Sequence, residues 1–100
     1  MSDKIEVIVD SDLEDLIPGF LENRMQDLEK LQQAAKRGDF GTLQSIGHSL
    51  KGVGGGYGFD RMSKIGEGIE NAGRTSDLEA ANGRVAELAD YLSRLNIVFE

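Results

Sequence analysis

Cysteine is missing from this sequence of 100 residues, which excludes disulfides, thiol catalysis and thiolate metal sites together. Tryptophan is missing as well, and aromatic residues make up 6 % of the chain, so we expect an aliphatic core. No apolar run approaches the roughly 20 residues of a membrane span, and the N-terminus has neither the basic nor the apolar segment of a secretory signal. We therefore expect a cytoplasmic protein with no membrane partner.

Positive charge is also scarce, with 11 Lys and Arg against 18 Asp and Glu and a net charge of −7. An acidic chain repels phosphate backbones, so nucleic acid is a poor partner. The length suits one domain with one modest core. We predict a single domain over residues 1–100, with its packed part at about 10–96.

The N-terminal part of the chain predicts two short elements. Strand-like alternation occurs only at residues 5–9, which we interpret as an extended lead-in without a partner strand. Ser11 and Glu14 have the spacing of a capping box, which predicts a short helix there. Pro18 disfavours helical geometry at the preceding residue and suits the first turn of a new helix, so a break is expected near 17–18.

The remainder of the chain predicts four longer amphipathic helices, because apolar residues recur at spacings of three and four. The stop and start signals between them are Gly38 and Asp39, Gly58 and Asp60, and the capping-box pair Ser76 and Glu79. The expected inward residues are Phe20, Leu21, Met25, Leu28, Leu31 and Ala35; Leu43, Ile46, Leu50 and Val53; Met62, Ile65, Ile69 and Ala72; and Leu78, Ala81, Val85, Leu88, Leu92 and Leu95. Short loops between such helices predict an all-α fold, an antiparallel up-down-up-down four-helix bundle with a short extra N-terminal helix.

Glycine is concentrated just after the only histidine, His48. The chain has 13 glycines, and the segment 52–58 holds Gly52, Gly54, Gly55, Gly56 and Gly58. Each glycine costs about 1 kcal/mol relative to alanine inside a helix. Two interpretations stay open: a helix that continues to Gly58, or a disordered loop that starts at Gly52.

His48 points away from the apolar stripe of its own helix on an ideal helical wheel. Within about 60° of it lie only small or polar residues, namely Gly41, Gln44, Ser45, Lys51, Gly52 and Gly55. We interpret this face as one kept flat so that a macromolecule can bring a reactive atom to the imidazole. The positive charge of Lys51 suits an anionic group such as a phosphoryl. The plainer alternatives are a solvent-facing histidine without a role and an ordinary solvated lysine.

Other chemistries fit the sequence poorly. One histidine and no cysteine leave too few ligands for a metal cluster, and no carboxylate on this face is placed to orient His48 as a hydrolytic triad requires. A third glycine of a dinucleotide-binding motif would have to stand at Tyr57, and no P-loop is present. The chain therefore has no visible ATP site.

The string His48-Ser49-Leu50-Lys51-Gly52, followed by Gly58, resembles the signature of histidine-containing phosphotransfer (Hpt) domains. Departures are Gly47, where the family often has Ala or Ser, and the glycines at 54–56. The resemblance extends over roughly Val9 to Leu95, and its further points are Leu13 to Leu31, the turn Gly38-Asp39-Phe40, Gly58-Phe59 and the pair Ile69-Glu70.

The resemblance implies a four-helix bundle that carries a phosphoryl group in two-component phosphorelays. It maps the phospho-accepting histidine onto His48, an assisting lysine onto Lys51 and a small residue that clears the approach onto Gly52. It implies receiver domains and a hybrid sensor histidine kinase as partners, with Mg²⁺ supplied by the receiver and no cofactor of the chain's own. We expect a monomeric carrier that is not an enzyme.

Two alternatives remain beside this interpretation. One is a helical interaction module without chemistry, which docks a partner through the glycine-flattened face. The other is the phospho-accepting domain of a longer chemotaxis-type or hybrid histidine kinase. Met1 and the ending at Glu100 favour a free-standing protein.

Overall fold

The computed structural model describes residues 3–100 and has four α-helices. These are α1 at Ile17–Arg37, α2 at Phe40–Tyr57, α3 at Asp60–Arg74 and α4 at Leu78–Arg94. A 3-10 helix at Ser11–Leu16 precedes α1, and two short strands flank the helices, β1 at Ile5–Val9 and β2 at Leu95–Phe99. The predicted all-α bundle with a short extra N-terminal helix is confirmed, and the two strands are an addition to it.

Each helix packs against its neighbours around the bundle, and the pair α2 and α3 is the most closely packed. Connections of two or three residues make consecutive helices antiparallel. The buried apolar residues form one core: Val9, Ile17, Phe20, Leu28, Leu31, Ala34, Ala35, Leu43, Leu50, Phe59, Met62, Ile65, Ile69, Ala72, Ala81, Val85, Leu88 and Tyr91. Most are aliphatic, as predicted, but Phe20, Phe59 and Tyr91 are buried with them. The rings of Phe20 and Phe59 stack with their centroids 5.0 Å apart.

The predicted stripes were wrong at three positions. Met25 is 54 % exposed and Leu78 is 41 % exposed, although both follow the helical spacing of buried neighbours. Leu95 does not belong to α4, because the helix ends at Arg94 and the chain turns extended there. Periodicity identified the correct helices, but their apolar faces are wider than the surfaces that cover them.

The extended segment Ile5–Val9 has a partner, contrary to the prediction. It pairs in parallel with Leu95–Phe99, with Ile5 opposite Leu95 and Val9 opposite Phe99. Both strands begin beside the C-terminal end of α4, where the Arg94 side chain donates a hydrogen bond to the carbonyl of Asp3. The partner strand lies about 90 residues further along the chain, so local alternation could not reveal it.

Three of the predicted helix starts are corrected by one residue. Asp10, not Ser11, caps the 3-10 helix by accepting from the amide of Asp12. The N-cap of α3 is Phe59, with Asp60 as the first helical residue. Asp77, not Ser76, caps α4 by accepting from the amide of Ala80. Asp10 and Asp77 are each adjacent in sequence to the serine that the spacing favoured as the N-cap. Either side chain can accept a hydrogen bond from a backbone amide.

The start of α2 is as predicted, and its end at Tyr57 decides between the two interpretations that the glycine cluster left open. Asp39 caps its start, where its carboxylate accepts hydrogen bonds from the hydroxyl and the amide of Thr42. These two bonds, the hydroxyl bond foremost, lower the pKa of the Asp39 carboxyl below its ordinary value. At the other end Gly58 adopts the left-handed conformation with φ 87°, which glycine tolerates without steric cost. The helix therefore runs through the glycine cluster and is not a loop from Gly52 onward.

Candidate functional site

His48 lies in the middle of α2 and projects into solvent. Its side chain is 75 % exposed, while Leu43 and Leu50 on the opposite side of the helix are fully buried. Val53 and Ile46 of the same stripe are only partly buried. The predicted orientation of the imidazole, away from the core, is confirmed.

The close packing of α2 against α3 depends on glycines of both helices. A Cβ atom on Gly47 would lie 2.5 Å from the amide nitrogen of Glu70, and one on Gly54 would lie 2.8 Å from that of Ser63. The same holds for a glycine of α3, because a Cβ atom on Gly66 would lie 2.7 Å from the amide nitrogen of Lys51 in α2. Real Cβ atoms essentially never approach other atoms so closely. The absence of side chains here brings the backbone of α3 directly beside that of α2.

The short distance between the helices brings a carboxylate to the imidazole. Glu70 of α3 places its Oε2 atom 2.8 Å from Nδ1 of His48, and its side chain is 19 % exposed. The expectation that no carboxylate is placed to orient His48 was therefore wrong. That expectation came from the wheel of a single helix, which cannot show a group that a neighbouring helix supplies. The pair Ile69-Glu70, noted for its resemblance to the family, was the available signal.

The contact with Glu70 determines which imidazole nitrogen is free. An ionised carboxylate can only accept hydrogen bonds, so in a neutral imidazole Nδ1 of His48 carries the proton and donates a hydrogen bond to Glu70. Nε2, the ring nitrogen farther from the backbone, then holds the lone pair of an exposed side chain. In this tautomer Nε2 is the nucleophilic nitrogen of the ring.

Lys51 lies one turn after His48 on the same exposed face. Its ammonium is 3.3 Å from Oε2 of Glu67, and the two side chains are 46 % and 53 % exposed. The backbone carbonyl of Lys51 accepts a hydrogen bond of 2.8 Å from the hydroxyl of Ser63. Lys51 is thus a surface cation that is already paired in the resting protein, and its partner, like that of His48, comes from α3.

The residues predicted to surround His48 divide into two groups. Gly41, Gln44 and Ser45 line a shallow open recess together with His48 and Glu70. On the other side of the imidazole, Gly52 has no atom within 4 Å of where a Cβ would be, and Gly55 has only the Ser63 hydroxyl, at 3.7 Å. All five predicted residues are exposed. The recess is too open to enclose a small molecule.

No group of three or more potential ligand side chains that could hold a metal ion is found within residues 3–100. Over the same residues, no helix is long and apolar enough to cross a bilayer.

A comparison with protein-family models matches the Hpt domain over residues 15–97 of the chain. The chain belongs to the Hpt family. The match includes His48 and all four helices, and proteins of this family carry phosphoryl groups in two-component phosphorelays, where they interact with receiver domains and histidine kinases. No curated protein and no solved structure matches the chain closely enough to count.

Proposed function

We propose that this Hpt domain is a phosphocarrier in which His48 accepts a phosphoryl group from an aspartate of one receiver domain and passes it to another. The observation that carries the proposal is the hydrogen bond between Nδ1 of His48 and Glu70, made by an imidazole that is otherwise exposed. In the neutral imidazole this contact leaves the lone pair on Nε2, in a side chain that is 75 % exposed.

The transfer of the phosphoryl group to His48 requires no proton to leave the imidazole ring. The lone pair of Nε2 attacks the phosphorus of an aspartyl phosphate, an N–P bond forms, and the P–O bond to the aspartate breaks. The electron pair leaves on the aspartate carboxylate. Because Nδ1 keeps its proton, the phosphorylated imidazole is a cation, and the carboxylate of Glu70 stabilises it from 2.8 Å. The reverse step uses the same atoms.

The receiver supplies most of the catalytic groups in this proposal. His48 lies in mid-helix, so no helix N-terminus is available to bind the phosphoryl group. Lys51 is the cation one turn away, whereas phosphoryl transfer depends on positioning and charge neutralisation by several groups. We therefore assign the divalent metal, Mg²⁺, to the receiver and regard the chain as a monomeric carrier that is not an enzyme.

The proposed docking surface is the exposed face of α2 around His48. It consists of Gly41, Gln44, Ser45, Gly52 and Gly55, none of which carries a large apolar side chain. A receiver has to bring its aspartyl phosphate within bonding distance of Nε2, which requires close approach of two surfaces. Lys51 would stabilise the charge of the phosphoryl group during that approach.

Replacement of the histidine tests the proposal directly. His48→Gln is expected to keep the fold, because an exposed polar substitution usually costs less than about 0.5 kcal/mol. Incubation with a phosphorylated receiver should give an acid-labile, alkali-stable phosphate on the wild type and none on the variant. A variant that accepts phosphoryl at the wild-type rate would refute the assignment of His48. A wild type that binds receivers but never accepts phosphoryl would favour the interaction module without chemistry.

A further inference from the structure

Two carboxylates of α3 lie one turn apart on the surface that carries His48. Glu70 contacts the imidazole, while Glu67 contacts Lys51 at 3.3 Å. The proposed mechanism gives Glu70 a purpose because it orients the ring. The mechanism gives no role to Glu67, whose side chain is 53 % exposed. The carboxylate of Glu67 pairs with Lys51, the cation that the phosphoryl group would need.

The charges at this surface change sharply on phosphorylation. The phosphoryl group itself carries about 1.5 to 2 negative charges at neutral pH, while the ring that bears it gains one positive charge, so the site as a whole becomes more negative by less than the charge of the phosphoryl group. Lys51 is one helical turn from His48, a spacing at which side chains are neighbours. The new anion and Glu67 therefore compete for one ammonium, and the two like charges repel each other.

We propose that Glu67 is a positioning residue that holds Lys51 in the resting protein and disfavours phospho-His48, so that the phosphoryl group is readily passed on. The inference rests on the proposed function of His48. The inference concerns the phosphotransfer equilibrium between two states. In one state His48 is phosphorylated and the receiver aspartate is free, and in the other His48 is free and the aspartate is phosphorylated. Glu67 shifts this equilibrium toward the aspartyl phosphate, which suits a carrier that must release what it accepts.

The test is the equilibrium constant of phosphotransfer, measured with a receiver domain that exchanges phosphoryl with the wild type. Glu67→Gln removes the charge and keeps the shape. It is expected to shift the equilibrium about two- to fivefold toward phospho-His48 at low salt. The shift should nearly vanish at about 1 M salt, where charges are screened over about 3 Å. Glu67→Asp, which restores the charge, should return the equilibrium toward the wild-type value.

A matched control comes from α4, where Glu87 forms an exposed ion pair with Arg84 at 2.9 Å. Glu87→Gln removes a pair of the same kind but should leave the equilibrium unchanged. In a Lys51→Ala background, Glu67→Gln should have a smaller effect than in the wild type, because the competition for the lysine is gone. The variants are expected to share the melting temperature of the wild type. A shift in the phosphotransfer equilibrium could then not be attributed to a change in stability.

The outcomes separate this inference from the proposed function. If the wild type exchanges phosphoryl but Glu67→Gln has the same equilibrium constant, Glu67 has no such role and the carrier function stands. A shift that persists in high salt, or that Glu87→Gln reproduces, overturns the inference as well. If the wild type never accepts phosphoryl from a receiver, the carrier function itself is refuted and the role of Glu67 with it.

Discussion

The two faces of α2 are both rich in glycine, but for opposite physical reasons. On the face toward α3, Gly47 and Gly54 lie where a Cβ would meet backbone atoms at 2.5 to 2.8 Å. On the face toward solvent, Gly52 and Gly56 have no atom within 4 Å of a Cβ position. The inner glycines allow a second helix to approach, whereas the outer ones leave space for a second molecule.

The comparison shows that the site is assembled from both faces. Glu70 can contact His48 because Gly47 lets the backbone of Glu70 lie directly against α2. The imidazole is exposed, and Gly52, one turn further, adds no side chain beside it. Glycine costs about 1 kcal/mol relative to alanine at each helical position. On the inner face close packing offsets that cost, whereas on the outer face no packing contact offsets it, which is why we propose that these glycines give access to a partner.

The largest effect is expected on the inner face. Gly47→Ala would force α2 and α3 apart, because the new Cβ atom would lie 2.5 Å from the amide nitrogen of Glu70 and 2.8 Å from the carbonyl oxygen of Gly66. Overpacking of this kind costs about 1–3 kcal/mol, or a fall in melting temperature of about 4 °C or more. Phosphotransfer should also slow, since Glu70 would move away from His48.

Gly83→Ala is the matched control for this substitution. Gly83 is an exposed glycine of α4 with no atom within 4 Å of a Cβ position. The same chemical change there should raise stability by up to about 1 kcal/mol, because alanine is the better helix former. If thermal melts place both alanine variants at or above the wild type, the inner glycines are not needed for close packing.

The next effect belongs to the outer face, where stability and transfer should separate. Gly52→Leu meets open space and replaces glycine by a stronger helix former, so the melting temperature should stay level or rise. The leucine side chain would lean toward the N-terminus and lie beside the imidazole of His48. Transfer to a receiver should fall at least tenfold, which corresponds to about 1.4 kcal/mol.

Gly52→Ala serves as the small-residue control, with a melt and a transfer time course on each variant. Unfolding of the leucine variant would mean that Gly52 is required for backbone geometry or packing. A folded leucine variant that transfers normally would mean that the glycines of the outer face do not clear an approach to His48.

The difference between the faces also explains how far the sequence could predict the structure. Periodicity and caps located the start of α2 at Asp39 and the outward direction of His48, because these depend on residues close in the chain. These signals could not show that Gly47 packs against a neighbouring helix and Gly52 does not, since the distinction depends on what α3 places beside each glycine. Glu70 and the strand Leu95–Phe99 were missed for the same reason, because both act across long separations in sequence.

A smaller effect on phosphotransfer is expected from loss of the carboxylate of Glu70, which α3 places beside His48. Glu70→Ala removes the acceptor for Nδ1 of His48 and lets the proton occupy Nε2, the nitrogen that must attack. A hydrogen bond is worth about 0.5–1.5 kcal/mol net, so transfer should slow by about two- to tenfold. Glu70→Gln keeps an acceptor oxygen and should lie closer to the wild type. Nitrogen NMR of the imidazole reports the tautomer, and an unchanged tautomer in Glu70→Ala would contradict the assignment.

The smallest effect is expected from the one cation of the outer face. Lys51→Ala should slow transfer without abolishing it, because Lys51 is 46 % exposed and already paired with Glu67. Exposed charge contacts contribute about 0.2–1 kcal/mol, which corresponds to a rate loss between about 1.4-fold and fivefold. The loss should shrink as salt rises, since screening weakens the contact, whereas the loss in Gly52→Leu is steric and should not. Rates measured at low and high salt for both variants separate the two causes, and identical rates for Lys51→Ala and the wild type in both conditions would make Lys51 an ordinary solvated lysine.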